Sequence, residues 1–243
     1  MSVWFCIPSC RPASEATACF DRWRGMGYKI ALLRQGEPVE ADLLIPTGEY
    51  LGWARSTNIL AAEVLRRDPT CLFIVGGGDD TFPAVEQHAT VIQRMCWVNF
   101  SGTYCVMQPT GDRWGDSESA RATFGANRGA AIERFAGSPW MGREWCEKSY
   151  LGRGPMFDGY FHCCADNELQ EVAIQQGVFW QRRDLTHFHN HPARADWPSF
   201  ASQQKYHEGH LKRLYSSEVW GADDALYQDR KRRGFPGSER LTI

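Results

Sequence analysis

Two adjacent carboxylates, Asp79 and Asp80, follow Gly76, Gly77 and Gly78 at the end of an apolar run. Neighbouring carboxylates repel each other and lose hydration, so a compensating cation is expected, and Mg²⁺ or Mn²⁺ suits hard oxygen ligands that also hold a diphosphate. The glycines let a ligand approach the backbone closely. The same residues, with Thr81 and Pro83, also suit a turn that opens a helix, with the carboxylates as caps. Both readings stand at this point.

A second group lies far downstream. Asp166 precedes Glu168 and Leu169 in a stretch of helical character that ends near Gly177. At a helix N-terminus the dipole favours an anion, and capping is again the plainer alternative. His187, His189 and His191 then alternate, so that an extended backbone puts all three on one face and one of them becomes a candidate metal ligand. Cys163 and Cys164 beside His162 suggest zinc only weakly, because no second pair completes a four-ligand site.

The elements that must carry these groups alternate in type. Residues 3–7 read as a buried strand, 15–24 as a helix after Ser14, 28–33 and 42–45 as strands, and 57–67 as a helix. Residues 71–75 are apolar throughout, as in the centre of a sheet covered on both faces, and a helix is expected from Pro83 to about 95. Residues 159–164 read as another strand. This alternation implies a mostly parallel, layered α/β sheet, whose ligands bind beyond the carboxyl ends of the strands. Residues 199–233 are helical in character, with Tyr206, Leu211, Leu214, Tyr215, Trp220, Leu226 and Tyr227 as buried candidates.

The 243 residues are 43% hydrophobic and 23% charged, enough for one sizeable core. A net charge of −2 gives no global attraction to nucleic acid; the basic runs Arg182-Arg183 and Lys231-Arg232-Arg233 read as solvated faces or helix ends. Nine scattered cysteines, the absence of an apolar run of spanning length and the absence of a signal-like start lead to the expectation of a soluble, cytoplasmic protein with reduced thiols.

The order of these motifs resembles the inverting GT-A glycosyltransferases, over roughly residues 1–195. Pro8-Ser9-Cys10-Arg11-Pro12 looks like that family's first strand and nucleotide-contacting loop, and Gly52 to Asn58, with Arg55, like its glycine-to-arginine-and-asparagine segment. Residues 72–80 resemble the strand that carries the Asp-x-Asp metal motif, although Gly77 or Gly78 stands for the first aspartate. Asp166 to Gly177 is similar to the family's Glu-Asp motif, with Ala165 in place of the glutamate.

The resemblance implies a metal-dependent enzyme that moves a sugar from a nucleotide-sugar donor, most simply a UDP-sugar, to an acceptor hydroxyl with inversion. Asp166 would be the base; Pro8, Ser9, Arg11, Arg55, Asn58, Gly78 and Asp79 would bind the donor; Asp79, Asp80, His187 and His189 would serve the metal. The GT-A domain would occupy residues 1–198, with a helical extension, residues 199–243, packed on it. Trp140, Arg143 and Arg153 fall where similar enzymes bind acceptor, or else are core and surface residues. They suggest a hydroxymethylated base in phage DNA as acceptor, which would place the enzyme in the host cytoplasm. A nucleotidyltransferase and a non-catalytic nucleotide- or sugar-binding module are the competing readings.

Overall fold

The computed structural model describes residues 1–112, 135–190 and 216–242. Seven strands form one sheet in the order β3-β2-β1-β4-β7-β6-β8. They are β1 (Ser2–Ser9), β2 (Lys29–Arg34), β3 (Leu43–Pro46), β4 (Cys71–Gly76), β6 (Val106–Pro109), β7 (Trp140–Gly142) and β8 (Phe179–Arg182). Only the short β7 runs against the others, pairing antiparallel with β4 and β6. The mostly parallel α/β sheet flanked by helices is the fold class expected from the sequence. A separate two-stranded ribbon pairs β5 (Thr81–Phe82) with β9 (Phe188–His189).

The sheet is central because its strands are apolar on both faces, and alternation divides their side chains between two cores. Val3, Phe5 and Ile7 of β1 pack with α1 (Ala13–Gly25) and α3 (Ala89–Phe100), while Trp4 and Cys6 face α2 (Trp53–Arg67) and α5 (Ala165–Gln175). The second core also takes α4 (Arg143–Lys148) through Trp145 and α6 (Ser217–Arg232) through Tyr227, with Phe235 just beyond α6. All nine cysteines are free thiols. Among the described residues no helix is long and apolar enough to cross a membrane.

Three expectations change. Residues 159–164 form bends instead of a strand. The backbone N–H groups of Phe161, His162 and Cys163 go to the Asp223 carboxylate, so they are not available to a sheet ladder. The helix expected from Pro83 starts at Ala89, because Thr81 and Phe82 are held extended against β9 and His88 supplies the cap by accepting from Thr90 N–H. Helix α2 begins at Trp53, four residues before the expected start, directly after Gly52 at φ 94°. In the C-terminal segment Tyr227 is buried and Trp220 and Leu226 pack half-buried; Tyr206, Leu211, Leu214 and Tyr215 lie outside the described residues.

Candidate active site

The carboxyl ends of β1, β2 and β4 share one edge of the sheet, since the three strands are parallel and in register. Beyond β4 the chain makes a tight turn, in which Gly78 C=O accepts from Thr81 N–H at 3.2 Å and from Thr81 Oγ1 at 2.8 Å. Asp79 and Asp80 are the central pair of this turn, and both carboxylates reach the Arg11 guanidinium. The turn requires Gly77: a Cβ there would stand 2.7 Å from both the Phe5 ring and Thr81 Oγ1. Trp53 secures it from α2, donating from Nε1 to Gly77 C=O at 3.0 Å.

Asp79 turns back toward β1. Its Oδ1 accepts from Arg11 Nε at 2.8 Å, and its Oδ2 from Ser9 Oγ at 2.9 Å and Arg11 N–H at 3.3 Å. Buried Arg34 continues this network by donating to Ser9 Oγ at 2.7 Å and to Arg11 C=O at 2.8 Å. Burial pushes the Asp79 carboxyl upward, with Arg11 pulling against it. The network ties the β1 loop to the β4 turn, with both oxygens of Asp79 accepting hydrogen bonds.

Asp80 shares Arg11 with Asp79 and also approaches His189. Its Oδ1 lies 3.7 Å from His189 Nε2, and Arg11 Nη2 stands 3.5 Å from its Oδ2. The β5–β9 ribbon fixes the approach by pairing Thr81 with His189, and Asn190 N–H bonds Asp80 C=O at 2.8 Å. Asp112, just beyond β6, accepts His189 N–H at 3.1 Å and completes the mooring.

Asp166 is in the first turn of α5, which runs from this edge of the sheet back toward the start of β8. Its carboxylate accepts from Asn167 N–H at 3.0 Å. Burial raises its pKa, while His189 is near enough to oppose that rise. Asp80 and His189 thus stand side by side, and His189 is near enough to Asp166 to act on its charge, so three distant stretches of sequence come into one region at this edge of the sheet. Ahead of α5, His162 Nδ1 and Tyr50 Oη are 2.9 Å apart, and burial lowers the His162 pKa to about 4, against the pull of Asp223 and Asp80.

Other sequence candidates have structural work. His187 is buried between Trp23 and Trp140, with Nδ1 2.7 Å from Ser138 Oγ, and burial lowers its pKa to about 3; the structure places it in the core, away from Asp80 and His189. Trp140 is 0% exposed within the sheet core, so it cannot stack on an acceptor. Arg143 binds the carbonyls of Leu65, Asp68, Pro69 and Cys71 at the amino end of β4, the wrong end of the sheet for the cleft. Arg153 bonds Tyr150 and Gly237 carbonyls. Asn58 clamps the Met156 backbone with both ends of its amide. Arg55 is exposed on the first turn of α2, Pro8 lies in β1 next to Ser9, and Gly78 forms the turn itself. His191 is outside the described residues. Cys163 and Cys164 are buried free thiols, and among the described residues no group of three metal-ligating side chains gathers.

Sequence reasoning missed Arg34, Asp112, Tyr50 and Asp223, and saw His162 only as a neighbour of two cysteines. Arg34 alone carried a signal, as a charged residue closing an otherwise apolar strand at its carboxyl end. The other four depend on contacts between segments far apart in the chain.

No protein family matches the chain, and no curated protein matches it. Among solved structures it is similar to a glycosyltransferase involved in glycosylation of the major capsid of PBCV-1, at 13% identity and a TM-score of 0.33, covering 88% of this chain and 78% of that one.

Proposed function

We propose that the chain is a GT-A-type glycosyltransferase that transfers a sugar from a nucleotide-sugar donor, a UDP-sugar, to an acceptor hydroxyl with inversion. The observation that carries this reading is the approach of His189 to Asp80, with Asp166 close enough to feel the His189 charge, beyond the carboxyl ends of a mostly parallel sheet. Open α/β sheets bind ligands at that edge.

A divalent cation, Mn²⁺ or Mg²⁺, is part of the proposal, and the residues fit a site of limited denticity. Asp80 and His189 offer two donors, and a cation of this kind takes its remaining ligands from substrate phosphates and water. Its chemistry would be to offset negative charge gathering on the departing diphosphate. The protein's own cations add to this, since Arg11 is at the same edge and Arg34 stands behind it.

Asp166 accepts the acceptor proton. Burial raises its proton affinity, which makes it a better base than a solvated aspartate. The helix dipole at the α5 N-terminus then favours the carboxylate form to which it must return. The acceptor is a hydroxyl group. Trp140 and Arg143, from which a modified-DNA acceptor was argued, do not line the cleft, so nucleic acid forms no part of this reading.

The test measures thermal stabilisation by nucleoside diphosphates with and without Mn²⁺, then sugar release and transfer from the matching UDP-sugars. At ligand 100 times Kd, about 2.7 kcal/mol of stabilisation is expected. Asp166→Asn should keep that stabilisation and lose roughly 10²- to 10⁴-fold in turnover. A wild-type protein that no nucleoside diphosphate stabilises, or an Asp166→Asn variant as active as wild type, would overturn the proposal. Binding without turnover by wild type would identify a non-catalytic module.

A further inference from the structure

One carboxylate on the C-terminal helix holds the loop that leads into the site. Asp223 of α6 is 4% exposed, and it accepts three successive backbone N–H groups: Phe161 at 2.9 Å on Oδ1, His162 at 2.8 Å and Cys163 at 2.7 Å on Oδ2. Consecutive amides converging on one anion form a nest, and charge-assisted bonds of this length are strong. The loop is held from its other side as well, where Phe161 C=O accepts from Trp53 N–H at 3.2 Å.

The next residue, Cys164, caps α5 in the left-handed region, at φ 66° and ψ −7°, and Asp166 follows in the first helical turn. The direction of α5, and with it the Asp166 carboxylate, is thus set by a strained non-glycine residue directly after the amides that Asp223 holds. In the same first turn, Arg230 binds Glu168 through two bonds of 2.7 Å, so α6 grips α5 a second time.

We propose that Asp223 is a positioning residue for the reaction: it fixes the 161–163 backbone so that Asp166 points into the cleft. This inference rests on the reading of Asp166 as the base. It gives the C-terminal helix a part in catalysis without any contact to substrate.

The test compares wild type with Asp223→Asn, which keeps a side-chain oxygen acceptor and the side-chain shape, and with Tyr227→Phe, which removes an α6–α5 bond to Glu171 without touching the loop. Asp223→Asn should lower kcat on the order of 10²-fold, as misplacement of a reacting group by about 1 Å does, with the KM for UDP-sugar unchanged. In an Asp166→Asn background the same change should cost nothing further, because the two act as one unit. Tyr227→Phe should leave kcat near wild type. Amide hydrogen exchange at residues 161–163 and 165–167 should quicken in Asp223→Asn alone.

An Asp223→Asn enzyme with wild-type kcat, a loss additive with Asp166→Asn, or an equal loss in Tyr227→Phe would overturn the inference. If wild type turns over no sugar nucleotide, the functional reading fails by itself. Exchange then decides the clamp: quickened amides retain it, and unchanged amides reject it.

Discussion

His189 Nε2 stands 3.7 Å from Asp80 Oδ1, while both oxygens of neighbouring Asp79 are turned onto Arg11 and Ser9. Adjacent in sequence, the two aspartates share Arg11 but differ in their other contacts, and the proposed function gives them different roles. Asp79→Asn should destabilise the unliganded protein: burial raises the Asp79 pKa as it does that of Asp166, but here the change also strips an Arg11 side chain only 13% exposed of a counter-charge. A loss of roughly 1–3 kcal/mol, or about 3–10 °C in Tm, is expected. Asp80→Asn should melt near wild type and instead lose the Mn²⁺-dependent part of its stabilisation by UDP. Melting curves with and without UDP and Mn²⁺ separate the two, and identical behaviour of both variants would contradict the division.

Asp166 supplies a sign that distinguishes function from architecture. Its pKa is raised by burial, so its charge is harder to accommodate folded than unfolded. Its contribution is fully favourable only below the unfolded value of about 3.9 and is lost as pH rises through the raised folded value. At pH 7 the ionised group opposes folding, so Asp166→Asn should melt higher than wild type while turnover disappears. A lower Tm at pH 7 would mean that the carboxylate is needed for the fold.

How far the chain could be read from its residues follows from the range of the interactions. The strands at residues 71–75 and 3–7 and helix α1 were legible because apolar period and punctuation are local properties. Asp79 and Asp80 were found as a pair, but their split depends on a turn geometry that the string Gly-Gly-Gly-Asp-Asp does not encode. Residues 159–164 were read as a strand, and their backbone N–H groups go instead to a carboxylate about 60 residues later. His187 and His189 looked equivalent by spacing. The ribbon sends one into the tryptophan core and the other to Asp80.

The grip of α6 on α5 gives a stability prediction. Glu168 is fully buried, held by Arg230 through two bonds and by Tyr160 Oη at 2.7 Å. Arg230→Met leaves a buried carboxylate without its cation and should cost roughly 3–5 kcal/mol, lowering Tm by about 10 °C or more. The double change Arg230→Met with Glu168→Gln should recover part of that loss, since the uncompensated charge goes with it. A single variant melting within about 2 °C of wild type would show the pair to be energetically idle, on the scale of roughly 2–4 °C per kcal/mol for a chain of this size.

His162 gives the fold a dependence on acid. Asp223 and Asp80 favour its charged form, yet burial outweighs them and lowers the pKa to about 4, so the imidazole is neutral in the folded protein at pH 7. In the unfolded chain the value is about 6.5. Between these two values the unfolded state binds the extra proton, so stability falls as pH drops from about 6.5 and the contribution levels off near 4. For one proton the slope is at most about 1.4 kcal/mol per pH unit. His162→Gln keeps a side chain able to hydrogen bond Tyr50 Oη but removes the titration. Urea midpoints at pH 7 and pH 5 should therefore differ less for His162→Gln than for wild type. Should the two proteins lose the same stability over that interval, the acid sensitivity must lie in another group, and the burial of His162 would not be what keeps it neutral.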